Sequence, residues 1–291
     1  MFVATLTANP ANPVLTPALA HSAMRALGAT ELYWLADGIA CDIPLGSDEE
    51  AAVTLSIALE GAEIDFAIQR QEGRRKRLLI ADMDSTMIEQ ECIDELASMA
   101  GLKDRVAAIT ARAMNGEIAF EPALRERVAL LKGMATEVVQ KVISEKITLM
   151  PGGRELVATM KKHGAYTALV SGGFTAFTDP IAATLGFDEN RANTLLSKDG
   201  KFTGKVAEPI LGKEAKLQAL NEISARLGIT PQDAIAVGDG ANDLLMLKAA
   251  GTGVALHAKP SVAAEAKIRL DFSDLTGLLY LQGYRRSEFA A

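Results

Sequence analysis

Three short apolar runs constrain what this chain can fold into. Leu78-Leu79-Ile80-Ala81, the run closing on Leu169-Val170, and Ala234-Ile235-Ala236-Val237 each stop abruptly at residues that carry chemistry. The first gives way to Asp82-Met83-Asp84-Ser85-Thr86, the second to Ser171-Gly172-Gly173, and the third to Gly238-Asp239-Gly240-Ala241-Asn242-Asp243. Helical patterns separate them, and strands alternating with helices imply a parallel sheet covered on both faces. The pattern predicts strands over 78–83, 166–170, 234–237 and 253–256, with a further one at 270–272. Helices are predicted over 152–162, 175–185, 213–227 and 242–250. Right-handed crossovers put the carboxyl ends of the strands on one edge, so all the acidic and hydroxyl clusters fall together there. Asp199-Gly200, at the centre of 193–206, predicts a β-hairpin.

In an extended segment residues i and i+2 share a face, so Asp82 and Asp84 can enter one site. Two carboxylates this close repel unless a cation sits between them or one keeps its proton. The first solution is a Mg²⁺ site; the second is a general acid beside an ionised nucleophile. Spacing alone does not say which aspartate does which. The helical pattern opening at Gly212-Lys213-Glu214-Ala215-Lys216 offers Lys213 and Lys216 as the cation that meets a phosphate. Ordered Asp, Ser, Lys and Asp at separate strand ends supply what Mg²⁺-dependent phosphoryl transfer needs.

Asp82-Met83-Asp84-Ser85-Thr86, Ser171-Gly172-Gly173, Lys216 and Gly238-Asp239-Gly240-Ala241-Asn242-Asp243 together resemble the four motifs of the haloacid dehalogenase-like superfamily. The resemblance covers roughly residues 75–285 and is nearest to the branch that removes phosphate from phosphoserine, the last step of serine synthesis. It implies Asp82 as a nucleophile that forms an aspartyl-phosphate, and Asp84 as general acid, then base. It implies Mg²⁺ held by Asp82, the backbone carbonyl of Asp84, and Asp239. Asp243, expected one turn along a helix, would orient metal-bound water. Ser171 and the N–H groups after it, Gly172 first, would cradle phosphate at a helix start. The resemblance prefers Lys216 to Lys213 as the neutralising cation.

Residues 91–150 break the strand–helix alternation with four helical patterns, at 93–100, 105–113, 122–131 and 137–147. An insertion directly after the first motif, returning before Pro151-Gly152-Gly153, reads as a helical cap that excludes water and selects substrate. Glu91 would repel a phosphate but would suit an ammonium group. Arg127 lies on the flank of the Leu124/Val128/Leu131 stripe, from where it can hold a carboxylate by a bidentate fork. One acid and one arginine describe an α-amino-acid headgroup. The resemblance places substrate contacts on Glu91, Phe120, Arg127 and Asn242, with Met114 as a further candidate.

The first 74 residues lie outside that resemblance. Their pattern predicts strand (2–8), helix (17–27), strand (31–36), strand (39–44), helix (49–60), strand (65–71), a βαββαβ order that implies a ferredoxin-like sandwich. This stretch resembles the small amino-acid-sensing ACT fold, but Asn9-Pro10-Ala11-Asn12-Pro13 replaces the usual acidic, glycine-bearing loop. A structural or dimerising role is favoured over ligand sensing, which leaves a homodimer open. The expected architecture is therefore α/β: residues 1–74 as an ACT-like domain, and 75–291 as a Rossmann-like parallel-sheet core with the cap inserted at about 91–150. The basic stretch Arg70 to Arg77 between them reads as a solvated linker. Because the first 74 residues supply none of the four motifs, a chain starting near Gly73 is expected to keep the chemistry.

A formal charge of −7 with no extended basic patch argues against a nucleic-acid partner. No stretch reaches the ~18 apolar residues of a membrane span, and the amino terminus does not read as a secretory leader. Cys41 and Cys92, far apart and without metal-ligand spacing, read as reduced thiols of a cytoplasmic protein. His21, His163 and His257 carry no partner pattern and read as surface or loop residues. The expectation is a Mg²⁺-dependent phosphomonoesterase acting on phosphoserine as a small-molecule substrate. Its rivals are a related small-molecule phosphatase or phosphotransferase, and an amino-acid-binding regulatory protein in which the site is a relic.

Overall fold

A computed structural model of the chain describes residues 1–114 and 117–290; the side chain of Met114 lies outside the described residues. The amino-terminal elements are β1 (Phe2–Ala8), α1 (Pro17–Ala26), β2 (Tyr33–Ala36), β3 (Ala40–Leu45), α2 (Ala51–Ala58) and β4 (Ile64–Arg70). They follow the expected order and form an antiparallel sheet β2-β3-β1-β4. Thr16 caps α1 by accepting the Leu19 N–H at 3.2 Å.

Strand periodicity gives this sheet two different faces. Ala4, Leu6, Ala8, Cys41, Ile43, Leu45 and Ile64 point toward α1 and α2 and build an apolar core. Thr5, Thr7, Asp42 and Asp65 alternate with them and are also buried. The face they line is covered by the rest of the chain: Ala67 belongs to the main core, and Tyr280 packs against Leu35, Ala36 and Ala40.

The remaining elements are β5 (Leu78–Ala81), α3 (Cys92–Met99), α4 (Lys103–Met114), α5 (Phe120–Ala129), α6 (Val138–Lys146), α7 (Gly153–Lys162), β6 (Tyr166–Phe174) and α8 (Thr175–Leu185). After them come β7 (Glu189–Asn193), β8 (Leu195–Lys198), β9 (Lys201–Val206), α9 (Lys213–Arg226), β10 (Ala234–Gly238), α10 (Leu244–Ala249), β11 (Thr252–Leu256), α11 (Pro260–Ala263), β12 (Ile268–Leu270) and α12 (Gly277–Leu281). The second sheet is parallel throughout, in the order β12-β11-β10-β5-β6-β7. Its order reverses between β5 and β10, and such a switch point opens a crevice at the carboxyl edge. Leu78 and Ile80 pack under α9 and α10, whereas Leu79 and Ala81 pack under α7, α8 and α12. The unbroken apolar run is thus explained by burial on both faces.

Helices α3 to α6 form the expected cap. Its two connections lie side by side: Ile88 bridges Leu149, and Glu89 and Met150 donate to Thr148 and Met87 at 3.0 and 3.0 Å. The β8–β9 hairpin braces the cap through Gly133 N to Phe202 O and Phe202 N to Met134 O, at 2.8 and 2.9 Å. Strand β7 was not expected, because Glu-Asn-Arg-Ala-Asn is too polar to announce a strand. Only its place at the edge of the sheet makes it one.

The solvated-linker expectation for Arg70 to Arg77 is overturned. Arg70 ends β4, and Arg74, at 14% exposure, pairs with Asp42 at 2.6 Å. Arg75 lies 4.1 Å from the Tyr284 ring centre and pairs with Glu288, while Lys76 Nζ donates to Gln232 O at 2.9 Å. Positive charge here clasps the two halves, because both offer carboxylates and carbonyls at the junction. We predict that Arg74→Ala costs ~1–3 kcal/mol by leaving Asp42 without its cation, read as a fall of several degrees in Tm by calorimetry. The exposed pair Arg112–Glu126 is the control, and Arg112→Ala should cost ~1 kcal/mol or less.

Candidate active site

The switch point gathers the sequence motifs into one crevice. Asp82 follows β5 directly, and its N–H donates to Val237 O of β10 at 3.0 Å, which fixes the two strand ends against each other. Its Oδ1 accepts the Met83 N–H at 2.7 Å, and its Oδ2 lies 2.7 Å from Lys216 Nζ. Lys216 reaches in from the first turn of α9 and is 2% exposed. Its ammonium also donates to Asp243 Oδ1 at 2.5 Å. Lys213, by contrast, points outward to Glu214, so the choice between the two lysines is made by the geometry of α9.

Ligand oxygens of Asp82, Asp239 and Asp243 all lie within 4.8 Å of one another, and all three residues are buried. Three buried carboxylates share the one buried ammonium of Lys216, and the more exposed Lys259 stands 3.7 Å from Asp239, so the cluster keeps a negative excess that a divalent cation would neutralise. Hard, closely set oxygens suit such an ion, so the residues present fit a divalent metal. The Asp84 carboxylate stands apart from this cluster.

Asp243 is not one turn along a helix, as expected, but immediately precedes α10. It folds back on the loop instead: its Oδ2 accepts the Gly240 N–H and its own N–H donates to Gly240 O, both at 2.9 Å. Room for that fold-back comes from Gly238, where a Cβ would stand 2.3 Å from Asp243 Cγ. Asn242 turns its side chain over Gly240 and is half-buried.

Ser171, Gly172 and Gly173 remain within β6, and α8 begins only at Thr175, so the anticipated helix start lies further on. Ser171 Oγ accepts the Gly173 N–H at 2.9 Å. A Cβ on Gly173 would stand 3.1 Å from both Asp84 Oδ2 and Ser171 Oγ, so the missing side chain lets the second strand close on the first motif.

Asp84 is half-buried and accepts the Cys92 N–H at 3.4 Å. Burial and the facing charge of Glu91 push its carboxyl up to about 7. Burial pushes Asp239 up to about 6, and burial with the Asp243 charge raises Asp82 well above the usual carboxylate range. Burial opposes the charge on Lys216, but Asp243 and Asp82 outweigh it and keep the ammonium protonated.

The cap brings Glu91, Arg127 and Phe120 to the same cleft. Glu91 precedes α3, and its Oε1 accepts from Ser85 Oγ at 3.2 Å; Ser85 holds a left-handed φ of 53° to make that turn. Arg127 Nε donates to Ala123 O at 3.3 Å, and its half-buried guanidinium faces Asp94, Glu91 and Asp84. Phe120, 38% exposed, reaches across to the core, with its ring 3.6 Å from where a Gly172 Cβ would be. Two neighbours of Asp239 escaped the sequence reading. Thr86 Oγ1 donates to it at 3.4 Å, and Lys259 Nζ lies 3.7 Å away. Thr86 sat in the first motif without a role, and nothing in Ala258-Lys259-Pro260 signals a site.

A family model for haloacid dehalogenase-like hydrolases matches residues 79–248. The chain belongs to that family. A Streptomyces coelicolor protein named phosphoserine phosphatase is 42% identical over 240 residues, 82% of this chain and 58% of that relative's length. This chain thus spans less than two thirds of that relative. The solved structure of a probable phosphoserine phosphatase from Vibrio cholerae shares 34% identity at a TM-score of 0.81, covering 99% of this chain and 87% of the other. A structure described as the phospho-aspartyl intermediate analogue of phosphoserine phosphatase is 42% identical at a TM-score of 0.66, covering 71% of this chain and 98% of the other. Among the described residues no helix is long and apolar enough to cross a membrane.

A pH dependence follows from the raised carboxyls. In the metal-free protein they contribute most to stability when protonated, and that contribution is lost as pH rises through about 6 to 7. A divalent cation needs the ionised forms of Asp82 and Asp239 and so competes with protons there, whereas the Asp84 carboxyl stands apart from the ion. We predict that Mg²⁺ raises Tm more at pH 8 than at pH 5.5, as read by differential scanning fluorimetry. An equal shift at both values would mean that these carboxyls do not bind the ion.

Proposed function

We propose that this chain is a phosphoserine phosphatase, hydrolysing O-phospho-L-serine to L-serine and phosphate as the last step of serine synthesis. The observation that carries the reading is the buried Asp82–Lys216–Asp243 cluster with Asp84 and Ser171 at its rim. Names borne by the similar proteins support the substrate, as does the Glu91 and Arg127 pair in the cap.

In this reading Asp82 attacks phosphorus, a P–O bond to the aspartate forms, and the bond to the serine oxygen breaks. Asp84, its carboxyl pushed up to about 7 in the metal-free protein, gives its proton to the departing alkoxide. It then takes a proton from the water that attacks the aspartyl-phosphate, releasing phosphate and restoring Asp82. Lys216 holds Asp82 in the attacking form and offsets charge on the phosphoryl oxygens. Ser171 and the Gly172 N–H hold those oxygens. Mg²⁺ is the proposed ion, held by Asp82, the Asp84 backbone carbonyl and Asp239, with Asp243 steadying its water and Lys216. It would supply charge neutralisation at the phosphoryl group.

Glu91 takes the substrate ammonium, Arg127 the carboxylate, and Phe120 with Asn242 closes the cleft around them. Residues 1–74 and 75–291 are proposed as two domains, the second carrying the cap at about 91–150, in a cytoplasmic enzyme.

A phosphate-release panel over small phosphomonoesters, with and without Mg²⁺, tests the assignment. Undiminished turnover in chelator would sink it. Asp82→Asn should abolish labelling of the enzyme after rapid quench with radiolabelled substrate, and label on that variant overturns the nucleophile. Arg127→Ala should weaken phosphoserine by about 2–3 kcal/mol more than an ester lacking the carboxylate. Equal loss on both esters would favour a broader phosphatase.

A further inference from the structure

The first three residues of the loop after β12 are tied to the amino-terminal sheet. Asp65, buried in β4, accepts the N–H groups of Asp271 at 2.7 Å, Phe272 at 3.1 Å and Ser273 at 2.7 Å. Thr7 of β1 accepts from Ser273 Oγ at 2.8 Å, and Asn9 Nδ2 donates to Phe272 O at 3.0 Å. Residue Asn9 opens the loop that lacks the acidic, glycine-bearing pattern, so that loop has a second use here. It ties down the far half of the chain.

The tethered loop in turn holds His257. The His257 N–H donates to Leu270 O at 2.8 Å, and its Nε2 meets Ser273 O at 2.9 Å. A carbonyl only accepts, so Nε2 carries the proton. His257 is in the left-handed region, at φ 44°, a conformation that persists only where surroundings enforce it. The turn it makes throws the chain back toward the crevice. Two residues on, the Lys259 N–H donates to Asp239 O at 3.3 Å while its Nζ approaches Asp239 Oδ2 at 3.7 Å.

We propose that Asp65 and His257 are positioning residues for the metal-binding edge, linked through Ser273 and Lys259 to Asp239. The amino-terminal domain is then a structural part of the catalytic centre, although it supplies none of its motifs. On this proposal a chain starting near Gly73 would bind the ion more weakly, contrary to the expectation from the motifs alone, because three N–H groups of residues 271–273 lose their acceptor. This inference rests on the phosphatase reading for what the edge is used for, but not for the linkage itself.

The test uses the full chain with Asp65→Asn, His257→Asn and both together. Asn tolerates the left-handed backbone at 257 but does not reach Ser273 O as imidazole does. Amide hydrogen exchange should speed up at 271–273 and also at 257–259 in Asp65→Asn. Mg²⁺ affinity, measured by displacement of Mn²⁺ in spin-resonance titrations well below Tm, should fall roughly 3–10-fold in each single variant. The double variant should bind no more weakly than the worse single one, as residues acting through one path do. Should Asp65→Asn fail to fold, Thr7→Val, nearly isosteric and in the same clamp, takes its place. Unchanged exchange at 257–259, unchanged Mg²⁺ affinity with lowered Tm, or full additivity would each overturn the linkage. An unaltered chain that binds no divalent cation overturns the phosphatase reading instead, and exchange at 257–259 still decides the linkage.

Discussion

A lysine at 2% exposure, held between two buried aspartates, is the interaction on which the site depends. Burying an ammonium without partners is prohibitive, and so is burying three carboxylates side by side. Together they are tolerable, and their remaining negative charge defines what else must enter. No single segment could supply this set. Asp82 comes from the end of β5, Asp239 and Asp243 from the end of β10, and Lys216 from α9. The switch in strand order places those three ends next to one another.

The cap solves a different problem. The core offers cations and N–H groups to a phosphate, which every phosphate ester carries equally. Discrimination needs groups that meet the rest of the substrate, and on the proposed function the inserted segment supplies them as Glu91, Arg127 and Phe120. Their charges act back on the core: after burial, the facing Glu91 is what pushes the Asp84 carboxyl up to about 7. On the proposed function, selection of the headgroup and tuning of the proton donor would be coupled through one carboxylate. The paired segments at 87–89 and 148–150 let the cap be positioned as a unit.

The amino-terminal sheet shows how strand alternation can serve two cores. Ala4, Leu6 and Ala8 look one way into an apolar layer, while Thr5 and Thr7 look the other into a polar seam. The buried oxygens of its strands meet partners: Thr5 meets Asp42, Asp42 meets Arg74, and Asp65 meets a backbone turn. A seam built this way is more directional than a greasy one. Misalignment by a residue would strand every one of these groups.

The sequence by itself determined the parallel core, the helical cap, the order of the first six elements and the set of strand-end residues. Each of these is written in local patterns, in apolar runs bounded by glycine and acid or in helical periodicity. Tertiary structure decided the rest. Spacing alone left Lys213 and Lys216 open and only the family resemblance preferred Lys216; the structure supplies the physical reason, because α9 turns Lys216 inward and Lys213 out. Asp243 joined the carboxylate cluster because Gly238 lets it fold back, a contact across a loop that spacing does not encode. Thr86, Lys259, the Arg74 clasp and the Asp65 tether were invisible for the same reason. Each depends on residues far apart in the chain meeting at one point, and no local pattern carries the position of a distant partner.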